Sequence, residues 1–126
     1  MRQFAALLLC ALAVAACGDE AEQEASAPAD ATRLQVHVTG LGADPTEMQL
    51  VCKGRCDIEQ ARSAIAAAKD DERACTLQYG GPEEAHVTGT LEGREVDVTI
   101  DRANGCGIAA YEGLFAAFGR QPPLKR

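Results

Sequence analysis

With 126 residues, 47% of them apolar but only 4% aromatic, the chain has material for one modest core and too little for several domains. Its formal charge of −7, from 12 Lys and Arg against 19 Asp and Glu, with no basic stripe, argues against nucleic acid as a partner. Six cysteines in so short a chain point to an oxidising compartment rather than the cytosol.

The chain opens on an export signal. Arg2 precedes an apolar run, Phe4–Ala16, that is too short and too early for a spanning helix. The run ends in Val14-Ala15-Ala16-Cys17, an aliphatic residue, two small residues and a cysteine, which resembles a bacterial lipobox. The resemblance implies that residues 1–16 are removed and that the Cys17 thiol carries diacylglycerol. Two or more acyl chains on one cysteine anchor a protein stably. The expected location is the outer side of the cell membrane, or the medium if the chain is secreted. Loss of Arg2 takes the charge from −7 to −8. Residues 17–32 follow as a tether: Asp19, Glu20, Glu22, Glu24 and Asp30 lie among Ala, Ser, Gln and Pro. Such a stretch buries too little to offset the entropy of ordering.

Residues 33–126 form the single domain. Arg33–Thr39 alternates Leu34, Val36 and Val38 with Gln35 and His37, which predicts a half-buried strand. Gly40-Leu41-Gly42-Ala43-Asp44-Pro45 turns the chain, and Glu47–Val51 alternates again through Met48 and Leu50 into Cys52. Lys53-Gly54-Arg55 is a short loop to Cys56. Asp57 is placed to cap a helix, with Gln60 three residues on; Ile58, Ala61, Ile65 and Ala68 recur at helical spacing over Asp57–Lys69. Asp70-Asp71-Glu72-Arg73 is a solvated stop, and the stretch Cys75–Pro82 reads as a loop ending in a Gly-Gly-Pro turn. Ala85–Leu91 and Val96–Ile100 alternate around Glu92-Gly93-Arg94 as a hairpin. Asn104-Gly105 predicts a turn into Cys106, and Ile108–Gly119 reads as a short helical turn followed by a final strand. The expected architecture is α+β: an antiparallel sheet of about five strands with one main helix packed on a face and two disulfides.

Cys10 leaves with the signal and Cys17 carries lipid, so Cys52, Cys56, Cys75 and Cys106 remain of the six. Four cysteines in an exported domain read as two disulfides, with three pairings open. Cys52 and Cys56 are separated by three residues rather than two, which speaks against zinc, so neither metal nor cofactor is expected. His37 and His86 fall on polar strand positions and read as surface residues. Glu83-Glu84 reads as a solvated acidic pair in a turn. No serine or thiolate stands in sequence beside a base, and Gly80-Gly81-Pro82 lacks the lysine of a phosphate loop, so an enzyme is not expected.

Cys75-Thr76-Leu77-Gln78-Tyr79-Gly80-Gly81-Pro82, Val87-Thr88-Gly89, Gly93, Val96 and Asn104-Gly105-Cys106 carry a resemblance. In order and spacing they are similar to the subtilisin inhibitor-like family of secreted serine-protease inhibitors, over roughly residues 33–119. The resemblance implies the bridges Cys52–Cys56 and Cys75–Cys106. It implies a reactive loop of Ala74, Cys75, Thr76, Leu77, Gln78 and Tyr79, whose scissile bond is Leu77–Gln78. Leu77 then fills the primary pocket (P1), with Thr76 at P2, Cys75 at P3, Ala74 at P4 and Tyr79 at P2′. Asn104 holds the family's loop-supporting position. The partner implied is a subtilisin-like or chymotrypsin-like serine protease, and the family also implies a homodimer through a sheet face. Thr76 stands where proline is frequent in the family, and the loop between Cys52 and Cys56 is shorter. A second reading keeps the fold without inhibition, as an envelope lipoprotein module that binds another partner.

Overall fold

The computed structural model describes residues 32–42, 44–52 and 56–126. The expected export signal, the expected lipidation site Cys17, the expected tether through residue 31 and the Lys53-Gly54-Arg55 loop lie outside the described residues. Among the described residues six elements follow in order: β1 (Arg33–Thr39), β2 (Thr46–Val51), α1 (Ile58–Ala68), β3 (Glu84–Leu91), β4 (Arg94–Asp101) and α2 (Gly105–Ala117). The strands form one antiparallel sheet in the order β2-β1-β3-β4.

Alternation along each strand dictates which face is covered. Register aligns Leu50, Leu34, Gly89 and Val96 in one row across the sheet, and Met48, Val36, Val87 and Val98 in the next. These rows face α1 and α2, which pack on one another and on β4. The intervening rows, such as Glu47, His37, His86 and Thr99, are polar and form the open face. There His37 Nδ1 meets Glu47 at 3.2 Å and His86 Nε2 meets Asp97 at 2.7 Å. Gly89 interrupts the apolar face for a reason: its φ is +128°, and a Cβ there would run into the Arg33 carbonyl of β1. Glu92 and Gly93, both at positive φ, close the β3–β4 hairpin as a two-residue turn.

α1 starts where expected. The Asp57 carboxylate accepts from the Gln60 N–H at 2.9 Å, and Ala61, Ala64 and Ile65 bury its inner face. The Asp57 N–H donates to the Ala117 carbonyl at 2.8 Å, which ties the head of α1 to the tail of α2.

Three expectations are corrected. Among the described residues the sheet has four strands, not about five. The predicted final strand in Ile108–Gly119 is instead part of a second full helix, α2, of 13 residues. Ala110, Tyr111, Leu114, Phe115 and Ala117 form its buried face, at the spacing of a helix. Exposed alanines at 109 and 116 blur that period in the sequence, and glycines at 105, 107 and 113 speak against a helix there. The helix closes in a Schellman pattern: Gly119 N–H donates to Ala116 O and Arg120 N–H to Phe115 O, each at 2.9 Å. Finally, Thr32 belongs to the fold rather than to the tether. It is fully buried, and its hydroxyl accepts from the Glu92 N–H at 2.9 Å.

Candidate functional site

The segment between α1 and β3 has no regular structure of its own, so its shape is set by what grips it. One grip is covalent: the Cys75–Cys106 bridge, with Cα atoms 5.4 Å apart, joins the loop to the first turn of α2. A second is the Gly105 N–H, which donates to the Thr76 carbonyl at 3.0 Å. Gly105 is bare because the Thr76 side chain lies where a Cβ would be. The third grip is on the far side. Gly80 N–H donates to the Arg102 carbonyl at 2.7 Å, and Arg102 Nη1 donates to the Gly80 carbonyl at 2.6 Å. Leu77, Gln78 and Tyr79 span the interval between these anchors. Leu77 is 98% exposed and Tyr79 67% exposed.

The Asn104 side chain, expected to support the loop, is turned to its own helix instead. Its side-chain oxygen accepts from the Gly107 N–H at 2.9 Å and so caps α2, while the N–H that reaches Thr76 belongs to its neighbour Gly105. The cap fixes the first turn of α2, and that turn presents both Gly105 and Cys106 to the loop. Asn104 and Leu77 also line one cleft of about 340 Å³.

The two bridges differ in weight. Cys75–Cys106 closes a separation of 31 residues, and chain entropy assigns such a loop about 3–4 kcal/mol. Cys52–Cys56, with Cα atoms 5.5 Å apart, closes a separation of 4, for which the same reasoning leaves about 2 kcal/mol. The variant Cys52→Ala/Cys56→Ala is therefore expected to lower unfolding free energy by about 2 kcal/mol in urea titration while leaving the Cys75 loop in place. All four cysteines of the domain are bridged, in the pairing that the resemblance implied. The bridges fit an oxidising compartment. Among the described residues no helix is long and apolar enough to cross a membrane.

Behind the Gly80 anchor lies a buried polar cluster that the sequence reading missed. Glu83 is 3% exposed and Arg102 is 8% exposed. Arg102 Nη1 donates to Glu83 Oε2 at 2.8 Å, and the guanidinium carbon lies 5.7 Å from the centre of the Tyr111 ring. Burial by itself would raise the Glu83 pKa. The N–H of Lys125, the guanidinium of Arg102 and the backbone of Glu83 itself outweigh it and hold the carboxyl below its ordinary value. Burial, followed by the nearby Glu83 charge, pushes the Tyr111 hydroxyl well above the ordinary phenol range. It remains a donor, to the Pro123 carbonyl at 2.7 Å. The expected solvated pair Glu83-Glu84 is thus split: Glu84 is exposed and Glu83 is not. A signal existed. Extending the strand alternation by two residues puts Arg102 in step with Val96, Val98 and Ile100, and Glu83 in step with Ala85 and Val87.

His37 and His86 lie on the open sheet face, apart from the loop, each beside a carboxylate rather than a nucleophile. No protein-family model, curated protein or solved structure matches this chain.

Proposed function

We propose that the chain is a substrate-like inhibitor of subtilisin-like or chymotrypsin-like serine endopeptidases, of subtilisin inhibitor-like type, presenting the bond Leu77–Gln78. One observation carries this reading: Leu77 stands 98% exposed at the middle of a loop gripped at Thr76 and at Gly80. A single exposed leucine is common on protein surfaces. A leucine held away from every packing partner, between a disulfide-supported anchor and an arginine clamp, has a geometry that suits insertion into a pocket.

The physics of such a loop follows from its grips. A segment already held in one shape loses little entropy on entering a protease cleft, so more of its contact energy appears as affinity. Leu77 suits a deep apolar pocket and not one with a buried acid, which selects Lys or Arg. After cleavage of Leu77–Gln78, the Cys75–Cys106 bridge and the Gly80 clamp keep the two new ends together. Religation then competes with release. Inhibitor contacts of ordinary area, about 1,600 Å², reach very high affinity on this basis. Lipid on Cys17 and the acidic arm after it would hold the domain on the outer side of the cell membrane, where the targets would be proteases near the cell surface.

The test is a titration of the chain from Gly18 onward into subtilisin and into chymotrypsin. The expected result is stoichiometric loss of protease activity, with slow appearance of a form cut after Leu77. Complete, rapid degradation, or unchanged protease activity at roughly micromolar inhibitor, a concentration that even modest binding saturates, sinks the proposal.

A further inference from the structure

Arg102 holds Gly80, Glu83 holds Arg102, and the segment after α2 holds Glu83. The Lys125 N–H donates to Glu83 Oε1 at 2.6 Å, and Glu83 Oε2 accepts from Arg102 Nη1 at 2.8 Å. The same Nη1 donates to the Gly80 carbonyl at 2.6 Å. Pro123, on the same segment, is fastened to α2 by the Tyr111 hydroxyl at 2.7 Å. Residues far apart in the chain therefore share one relay, running from Lys125 through Glu83 and Arg102 to the loop.

We propose that the C-terminal segment Pro123–Lys125 is a positioning element for the reactive loop, acting through Glu83 and Arg102 on Gly80. Its consequence for inhibition rests on the function proposed above; the relay itself does not. Besides its own backbone, the Glu83 carboxylate draws on the Lys125 N–H at Oε1 and the Arg102 guanidinium at Oε2, and a buried charged group depends on each such donor. Without the Lys125 N–H, the carboxylate loses the donor that holds Oε1 on the C-terminal side and shifts toward the Arg102 guanidinium. The guanidinium nitrogen it would turn toward is the one that carries Gly80. The other side of the loop is held by different groups, since Thr76 is gripped by Gly105 and by the Cys75–Cys106 bridge. The relay therefore steadies the side of Leu77–Gln78 that follows the scissile bond and leaves the preceding side alone.

The asymmetry makes the test. Amide hydrogen exchange is compared in the full chain, in a chain lacking residues 122–126, and in Tyr111→Phe. The last keeps the whole chain and the ring over Arg102 but releases Pro123. The Gly80 N–H should exchange about tenfold faster in the shortened chain, the weight of one charge-assisted hydrogen bond, and by a smaller factor in Tyr111→Phe. Gly105 and the core amide of Val87 should keep their rates in both. Chymotrypsin cleavage after Leu77, followed by mass, should accelerate in step with Gly80. An unchanged Gly80 rate, an equal rise at Gly80, Gly105 and Val87 in both variants, or faster Gly80 exchange with unchanged cleavage overturns the proposal. Should the full chain inhibit neither protease, the inhibitor reading falls, while the exchange rates still decide the relay.

Discussion

On the inhibitor function proposed above, replacing Leu77 by glycine should weaken protease inhibition by roughly 30- to 700-fold while leaving the stability of the domain unchanged. The first half follows from burial of the side chain in a primary pocket, worth about 2–4 kcal/mol at the centre of an interface. The second half follows from the free protein, where Leu77 is 98% exposed and contributes nothing to the core. The pair of outcomes is what gives the experiment its force. Loss of inhibition with an unchanged urea midpoint places Leu77 in the protease contact. Retention of full inhibition in Leu77→Gly shows that some other surface binds the enzyme. Leu77→Lys extends the argument: it should shift preference from chymotrypsin toward trypsin, because the pocket partner of a cationic side chain is a buried acid.

The larger effect on stability is expected at Arg102. Arg102→Met should lower unfolding free energy by about 3–5 kcal/mol, since it leaves Glu83 as a buried charge without its ion partner. Against a total of about 5–15 kcal/mol for a small domain, such a loss is severe. It is measurable as a fall in the urea midpoint at constant slope. The additional change Glu83→Gln should recover part of the loss, because no charge is then buried alone. If the double variant is as unstable as Arg102→Met, packing of the arginine stem rather than charge accounts for the effect. Acid provides a second readout. The folded pKa of Glu83 lies below its ordinary value of 4.5. Its contribution is therefore complete above that value and is lost as the pH falls through the lower folded pKa. Glu83→Gln should flatten this part of the acid-stability profile, leaving the contribution of the other carboxylates.

The strands show how far alternation carries. Leu34, Val36 and Val38, and Val96, Val98 and Ile100, are buried in the pattern their spacing predicts, because a period of two leaves a strand no other way to face one core. α1 was legible for a similar reason: Asp57 caps it and a compact stripe of Ala and Ile marks its inner side. α2 was not, because its outer face also carries alanine, so burial there is decided by what packs against it rather than by local contrast. Asn104 was legible as a chain-direction signal before Cys106. That its oxygen goes to the Gly107 N–H, and that Gly105 makes the bond to Thr76, depends on the angle at which α2 leaves β4.

The sequence by itself determined the strand faces, the first helix, the exposed loop after Cys75 and the presence of four cysteines in the domain, since each follows from local pattern and side-chain chemistry. Tertiary structure decided which cysteines meet, the second helix, and the burial of Glu83 against Arg102. It also decided that the loop is gripped from both sides. Apart from the Cys52–Cys56 bridge, the contacts among them join residues 19 to 42 positions apart, such as Glu83 with Arg102 and with Lys125. A charged pair so placed is stable only when the surrounding core removes water from both partners at once, and no local stretch of chain encodes that condition.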